Sequence, residues 1–119
     1  MDRVPIIKID KYLIATIPPD IKDSVAIALH EDLGAKIVAS RARLVLVDIS
    51  ALQIVDSFIG RMIGDISGMA RLLDAEVMVV GMQPAVAMTL VELGLTLTGV
   101  RTALNVEAAL AMARLRDHI

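Results

Sequence analysis

No cysteine occurs in the 119 residues, so a disulfide framework, a thiolate metal site and a thiol nucleophile are all excluded. Histidine is scarce too. His30 and His118 stand far apart in sequence, read as ordinary surface or helix-end residues, and cannot furnish a Cys/His zinc site or a nucleophile-base-orienter set. Tryptophan is absent, and aromatic residues make up 2%, so the core must be built from Ile, Leu, Val, Ala and Met. The chain also lacks a strong charge of one sign. A net charge of −2, a pI near 5.6 and scattered Lys and Arg residues leave no basic field for a polyanion, which argues against nucleic acid. The basic-then-apolar pattern of a signal peptide is missing from the first residues, so the cytoplasm is the expected compartment. No glycine-rich turn of the G-x-G-x-x-G type and no lysine-bearing phosphate loop occurs. Pro18-Pro19 stands where such a turn would be, which speaks against the alternative of a small nucleotide-binding α/β domain. No cofactor and no catalytic activity are expected.

Hydrophobic residues, by contrast, make up 56% of the chain. That length suits one domain over residues 1–119, with a single core and no room for an independent second one. An aliphatic surplus in so small a domain leaves apolar side chains outside, which favours burial in a homo- or hetero-oligomer. The run Val77 to Val100 carries one charge, Glu92, over a length that could span a bilayer. Gly81, Pro84 and Gly94 break it into strand, helix and strand, so no membrane span is expected.

Punctuation and period give the rest of the order. Val4 to Ile9 and Tyr12 to Ile17, with Asp10-Lys11 between them, read as an N-terminal hairpin. Pro18-Pro19-Asp20 stops the second strand and opens a helix to about Ser40, with Ile21, Val25, Ala28, Leu29, Leu33 and Ile37 inward. Leu44 to Asp48 is apolar enough for a central strand covered on both faces. A helix from Ser57 to about Leu73 follows, then a strand over Glu76 to Val80 and a helix from Pro84 that stops before Gly94. Leu97 to Arg101 is a weak last strand, and Asn105 caps a terminal helix to about Arg116. Strands alternating with helices after a hairpin predict an α/β fold: a mainly parallel mixed sheet of four to five strands, an antiparallel N-terminal strand and about four helices.

The stretch from Val45-Leu46-Val47-Asp48 to Asp56-Ser57-Phe58 is the place where chemistry is expected. A serine hydroxyl at a helix start on the surface of an α/β domain can take and lose a phosphate, and as N-cap Ser57 would accept from a backbone amide one turn on. Asp56 reads as an acid favourable to the helix N-terminus, or as a residue that orients the hydroxyl. Asp48 ends a buried strand, where ligand sites of α/β sheets gather, although loops place hydrogen-bonding acids there more often. Both acids would deepen the negative potential once a phosphate is added. Gly60, Gly64 and Gly68 recur every fourth residue in the same helix, which costs helical stability and predicts close packing, within the domain in preference to a neighbouring subunit. Met62 and Met69 could serve either core or interface.

These residues, together with Gly81-Met82-Gln83-Pro84 through Glu92-Leu93-Gly94, resemble the STAS domain of anti-sigma factor antagonists over essentially the whole chain. Within that family the sequence is similar to the small single-domain scaffolds of the bacterial stressosome, the RsbS group. The resemblance implies a non-catalytic scaffold that co-assembles with RsbR-like sensor proteins bearing a C-terminal STAS domain. It implies a resting complex with a GHKL-type serine kinase of the RsbT kind, phosphorylation at Ser57, departure of the kinase, and an RsbX-like phosphatase that resets the state. Asp56, Asp48, Asp23 and Phe58 are then the expected partner-contacting residues. Asp23, otherwise a first-turn acid of helix one, stands where related sensors carry a second phosphorylatable threonine, so one switch hydroxyl is expected here. The alternative within the family is a free anti-sigma factor antagonist that works by partner switching without a large scaffold.

Overall fold

The computed structural model describes residues 3–95, 97 and 99–117. His118 and Thr98, on which two of the sequence readings fall, lie outside the described residues.

The chain begins with a hairpin. Strands β1 (Ile6–Ile9) and β2 (Tyr12–Thr16) pair antiparallel from Ile9↔Tyr12 to Ile6↔Ala15, and Asp10 takes a left-handed φ of 55° in the two-residue turn. The ladder opens at Ile6, two residues later than the sequence suggested, because Pro5 has no amide to donate; Val4 still enters the core. Helix α1 (Asp23–Ser40) starts three residues after Asp20, since Pro18-Pro19 hold the chain extended; the N-cap is Lys22. Val25, Ala26, Leu29, Leu33 and Ile37 are its buried residues, while Ala28 is only half-buried.

Strand β3 (Leu44–Asp48) lies at the centre of the sheet, whose order is β1-β2-β3-β4-β5. It pairs parallel with β2 on one side and with β4 (Glu76–Val80) on the other. The period-2 alternation of these strands sorts their side chains between two layers. Leu13, Ala15, Val45, Val47, Val77 and Val79 face α1, α2 (Ser57–Leu72) and α3 (Pro84–Glu92). Tyr12, Ile14, Leu44, Leu46, Met78 and Val80 face α4 (Val106–Asp117), which contributes Ala109, Leu110 and Ala113. Covering on both faces explains why the inner strands read as apolar runs.

Strand β5 is Arg101–Ala103, paired parallel with Met78–Val80, and not Leu97–Arg101. Leu97 and Val100 pack against the core instead, with the Val100 amide on the Leu97 carbonyl at 3.0 Å and Gly99 at φ 77°. Side chains needed inside the protein are thus spent on a turn, and the strand starts after it. Helix α3 ends with Gly94 at φ 70°, while the Leu95 amide reaches the Leu90 carbonyl at 2.9 Å. Asn105 caps α4 through Oδ1 on the Ala108 amide at 2.8 Å. Among the described residues no helix is long and apolar enough to cross a membrane, and the apolar run after Val77 is divided between β4 and α3.

Candidate functional site

The loop between β3 and α2 is held at its β3 end by backbone groups. The Ile49 amide bonds the Val80 carbonyl at 3.0 Å, and the Leu52 amide turns back to the Ile49 carbonyl at 3.0 Å. Asp48 accepts from the Ser50 amide at 2.9 Å, and Gln83 Nε2 donates to the Ser50 carbonyl at 2.9 Å, tying this loop to the one after β4. Gly81 makes that approach possible. Its φ is 75°, and a Cβ there would stand 2.7 Å from Ser50 Cβ. Leu52 and Val55 point into the core, whereas Ile54 is 84% exposed on the outer side of the loop. The sequence carried no local sign of this cross-loop tie, because it joins residues more than thirty positions apart.

Helix α2 begins directly after this loop, and its cap is Asp56 rather than Ser57. Asp56 is extended at φ −120°, and its Oδ1 accepts from the Ile59 amide at 3.0 Å. Ser57 is the first helical residue, a position from which its hydroxyl does not reach the amides one turn on. Its Oγ is exposed and accepts from Arg61 Nη2 at 3.3 Å. Asp56 therefore serves the helix and leaves the serine hydroxyl free of cap duty. The i, i+4 spacing of Ser57 and Arg61 was available from sequence. Phe58 is half-buried against the core and anchors the first turn.

The expected partner-contacting residues do not all converge. Asp56, Ser57 and Phe58 form one surface. Asp48 lies at the same carboxyl edge of the sheet, in register with Thr16, but its carboxylate serves the Ser50 amide. Asp23 is exposed in the first turn of α1, and among the described residues no hydrogen bond joins it or Asp48 to Ser57. The glycine repeat also divides. A Cβ at Gly60 would stand 2.5 Å from Leu95 Cδ1, so close packing holds there, but at Gly64 and Gly68 it would meet nothing within 4 Å among the described residues. Among the described residues the expectation of tight packing within the domain is met at Gly60 and not at those two, although the segment after α3 touches α2 again at Arg71, which donates to the Gly99 carbonyl at 3.3 Å. Met62 is buried and Met69 packs partly buried against the core.

A family model described as the STAS domain matches residues 2–109. RsbS from Moorella thermoacetica, solved as a serine-to-glutamate variant, is 37% identical, with 98% of each chain covered and a TM-score of 0.85. A chain of a structure titled for the molecular architecture of the stressosome, a signal integration and transduction hub, is 37% identical, with 97% of this chain and 100% of that one covered and a TM-score of 0.85. The RsbT co-antagonist protein RsbRA of Bacillus subtilis is 34% identical over 74 residues, which are 62% of this chain and 27% of that protein. The match thus spans about a quarter of RsbRA. A crystal structure of a putative anti-sigma factor antagonist from Thermotoga maritima, 16% identical, covers 93% of this chain and 94% of its own with a TM-score of 0.74, and shares the fold.

Proposed function

This chain belongs to the STAS domain family, and from that premise we propose that it is a non-catalytic scaffold of a stressosome-type assembly, switched by phosphorylation of Ser57. The observation that carries this reading is the match to RsbS, which spans nearly the whole of both chains at 37% identity. In this reading residues 1–119 act as one cytoplasmic STAS module. It co-assembles with sensor proteins that carry a related domain, as the partial match to RsbRA supports. It holds an RsbT-like serine kinase at rest and gives it up once modified, and an RsbX-like phosphatase restores the resting form.

The chemistry is simple. The Ser57 oxygen attacks the γ-phosphorus of ATP bound by the kinase, the bond to the bridging oxygen breaks, the hydroxyl proton passes to a base of the kinase, and ADP leaves. This chain provides an exposed hydroxyl on a rigid helix start. A phosphate there is compatible with the helix dipole, so the fold tolerates it. Asp56, already at the surface, then adds to a local negative potential that repels a kinase docked over Ser57 and Phe58. The serine-to-glutamate change in the Moorella protein likewise puts negative charge at a serine of that relative.

Incubation with the kinase encoded nearest to this chain, ATP and magnesium, followed by mass mapping, tests the reading. Phosphate on Ser57 is expected, and phosphate on Ser24, Ser50 or Ser67 with Ser57 bare overturns it. Ser57→Asp is expected to fold as the parent by circular dichroism and to bind the kinase weakly, and Ser57→Ala to bind it and fail to release it.

A further inference from the structure

Arg61 carries an exposed guanidinium whose Nη2 lies 3.3 Å from Ser57 Oγ, one helical turn along α2. Among the described residues no carboxylate forms an ion pair with it; Asp65 stands four residues on, but with the base ahead of the acid, the weaker order for such a pair. Six other basic side chains, Arg3, Lys11, Arg43, Arg101, Arg114 and Arg116, are each matched with an acid, whereas Lys8, Lys22, Lys36, Arg41 and Arg71, like Arg61, form no ion pair among the described residues. Arg61 has a serine oxygen instead.

The cap position of the helix is already occupied, while the Ser57 and Phe58 amides form no hydrogen bond among the described residues. The Ile59 amide is taken by Asp56 Oδ1 and the Gly60 amide by the Asp56 carbonyl at 3.2 Å. A phosphate on Ser57 cannot take over the cap amide without displacing Asp56, and it meets that carboxylate as a like charge. Attraction lies in the other direction. The guanidinium is a donor only, is charged at every working pH, and matches phosphate oxygens as a planar fork.

We propose that Arg61 is the intramolecular receiver of the Ser57 phosphate: it positions the serine oxygen before transfer and folds the phosphate onto the flank of α2 afterwards. This inference rests on the reading of Ser57 as the switch and specifies how that site is regulated. Capture does two things at once. The phosphate brings a charge of about −1.5 to −2 to the surface, and it withdraws from any docked partner the cation that stood beside the serine. Arg61 acts here through the phosphate oxygens and has no part in breaking the ATP bond.

The test uses the full chain with phosphoserine installed at position 57 by protein ligation, so that it does not depend on the kinase. The second pKa of the phosphate, read by phosphorus NMR titration, is expected below the free phosphoserine value of about 6. Arg61→Ala is expected to raise it by about half a unit, the size of an exposed ion pair, and Arg61→Lys to restore part of the shift. Arg71→Ala, on the same helix but held to the Gly99 carbonyl, is expected to leave it unchanged. Circular dichroism of each variant separates loss of the contact from loss of the helix. A phosphate pKa that is the same with arginine and with alanine at position 61, in folded protein, overturns the inference while the reading of Ser57 stands. A kinase reaction that leaves Ser57 bare overturns that reading, and the inference with it.

Discussion

At the start of α2 the cap and the reactive hydroxyl belong to different residues, and the two should separate cleanly in stability measurements. Asp56 binds the Ile59 amide, so Asp56→Ala is expected to cost about 1 kcal/mol in urea denaturation. Ser57 caps nothing, and Ser57→Ala is expected to stay within about 0.5 kcal/mol of the parent. The reverse order would place the cap on Ser57. A second residue-scale effect concerns Tyr12, 3% exposed, whose hydroxyl donates to Asp117 at 2.6 Å and pins the end of α4. That hydrogen bond holds the Asp117 carboxyl below its ordinary value of 3.8; burial opposes it, and Lys11 and Arg116 add attraction. The same bond, burial and the nearby Asp117 and Asp10 charges raise the Tyr12 phenol above 10, against Arg114. A carboxyl depressed in the folded chain contributes stability that is complete above its ordinary value and is lost as pH falls through the folded one. A phenol raised in the folded chain contributes stability complete below its ordinary value and lost as pH rises through the folded one. Tyr12→Phe is therefore expected to lower stability at neutral pH and to flatten the dependence below about pH 4 and above about pH 10. Urea midpoints across that range check it, and an unchanged acid limb would remove Tyr12 from the account.

Among the elements, α2 carries the clearest departure from what its own composition favours. Gly60 lies under Leu95 and Leu90, whereas among the described residues Gly64 and Gly68 meet nothing within 4 Å. Helical glycine without a packing reason costs about 0.5 to 1 kcal/mol relative to alanine. Gly64→Ala and Gly68→Ala are each expected to raise stability by about that amount, while at Gly60 the displaced Leu95 side chain cancels the gain. Denaturation midpoints of the three variants decide this. Variants at 64 and 68 that are more stable yet fail to join a STAS-bearing sensor in gel filtration would place that flank of α2 in the assembly. Helix α4 is attached differently. It covers its side of the sheet with only Ala109, Leu110 and Ala113 buried, and the ion pairs Arg114 to Asp10 and Arg116 to Glu76 complement that small apolar footprint.

For the whole molecule, the aliphatic composition has a visible consequence. Met88 and Val91 on α3, Leu72 at the end of α2, Leu104 before α4 and Leu115 on it are each more than 60% exposed. Scattered apolar residues are ordinary, but so many on a domain of 12.8 kDa fit a chain whose surface is covered by others. Light scattering of this chain mixed with a STAS-bearing sensor is expected to show a complex much larger than either component. A strict monomer at all concentrations, with no complex, would favour the free antagonist that works by partner switching.

The amino-acid order by itself determined the class of fold and most of its elements. Continuous apolar runs at Leu44 to Asp48 and Glu76 to Val80 fit strands covered on both faces, and Pro84, Gly94 and Asn105 act through their own local chemistry. The hairpin and the exposed serine at the start of α2 were legible for the same reason: each depends on neighbours within a few residues. Tertiary structure decided what depends on distant partners. That Asp56 and not Ser57 caps the helix follows from where the chain leaves its extended path, at φ −120° on Asp56, after a loop whose start is tied to Val80 and Gln83. The last strand moved to Arg101–Ala103 because Leu97 and Val100 were drawn into the core. Among the described residues Gly60 alone of the glycine repeat is covered, by Leu90 and by Leu95 thirty-five positions on. Local chemistry sets what an element is, and long-range packing sets where it starts and which of its side chains are left free to act.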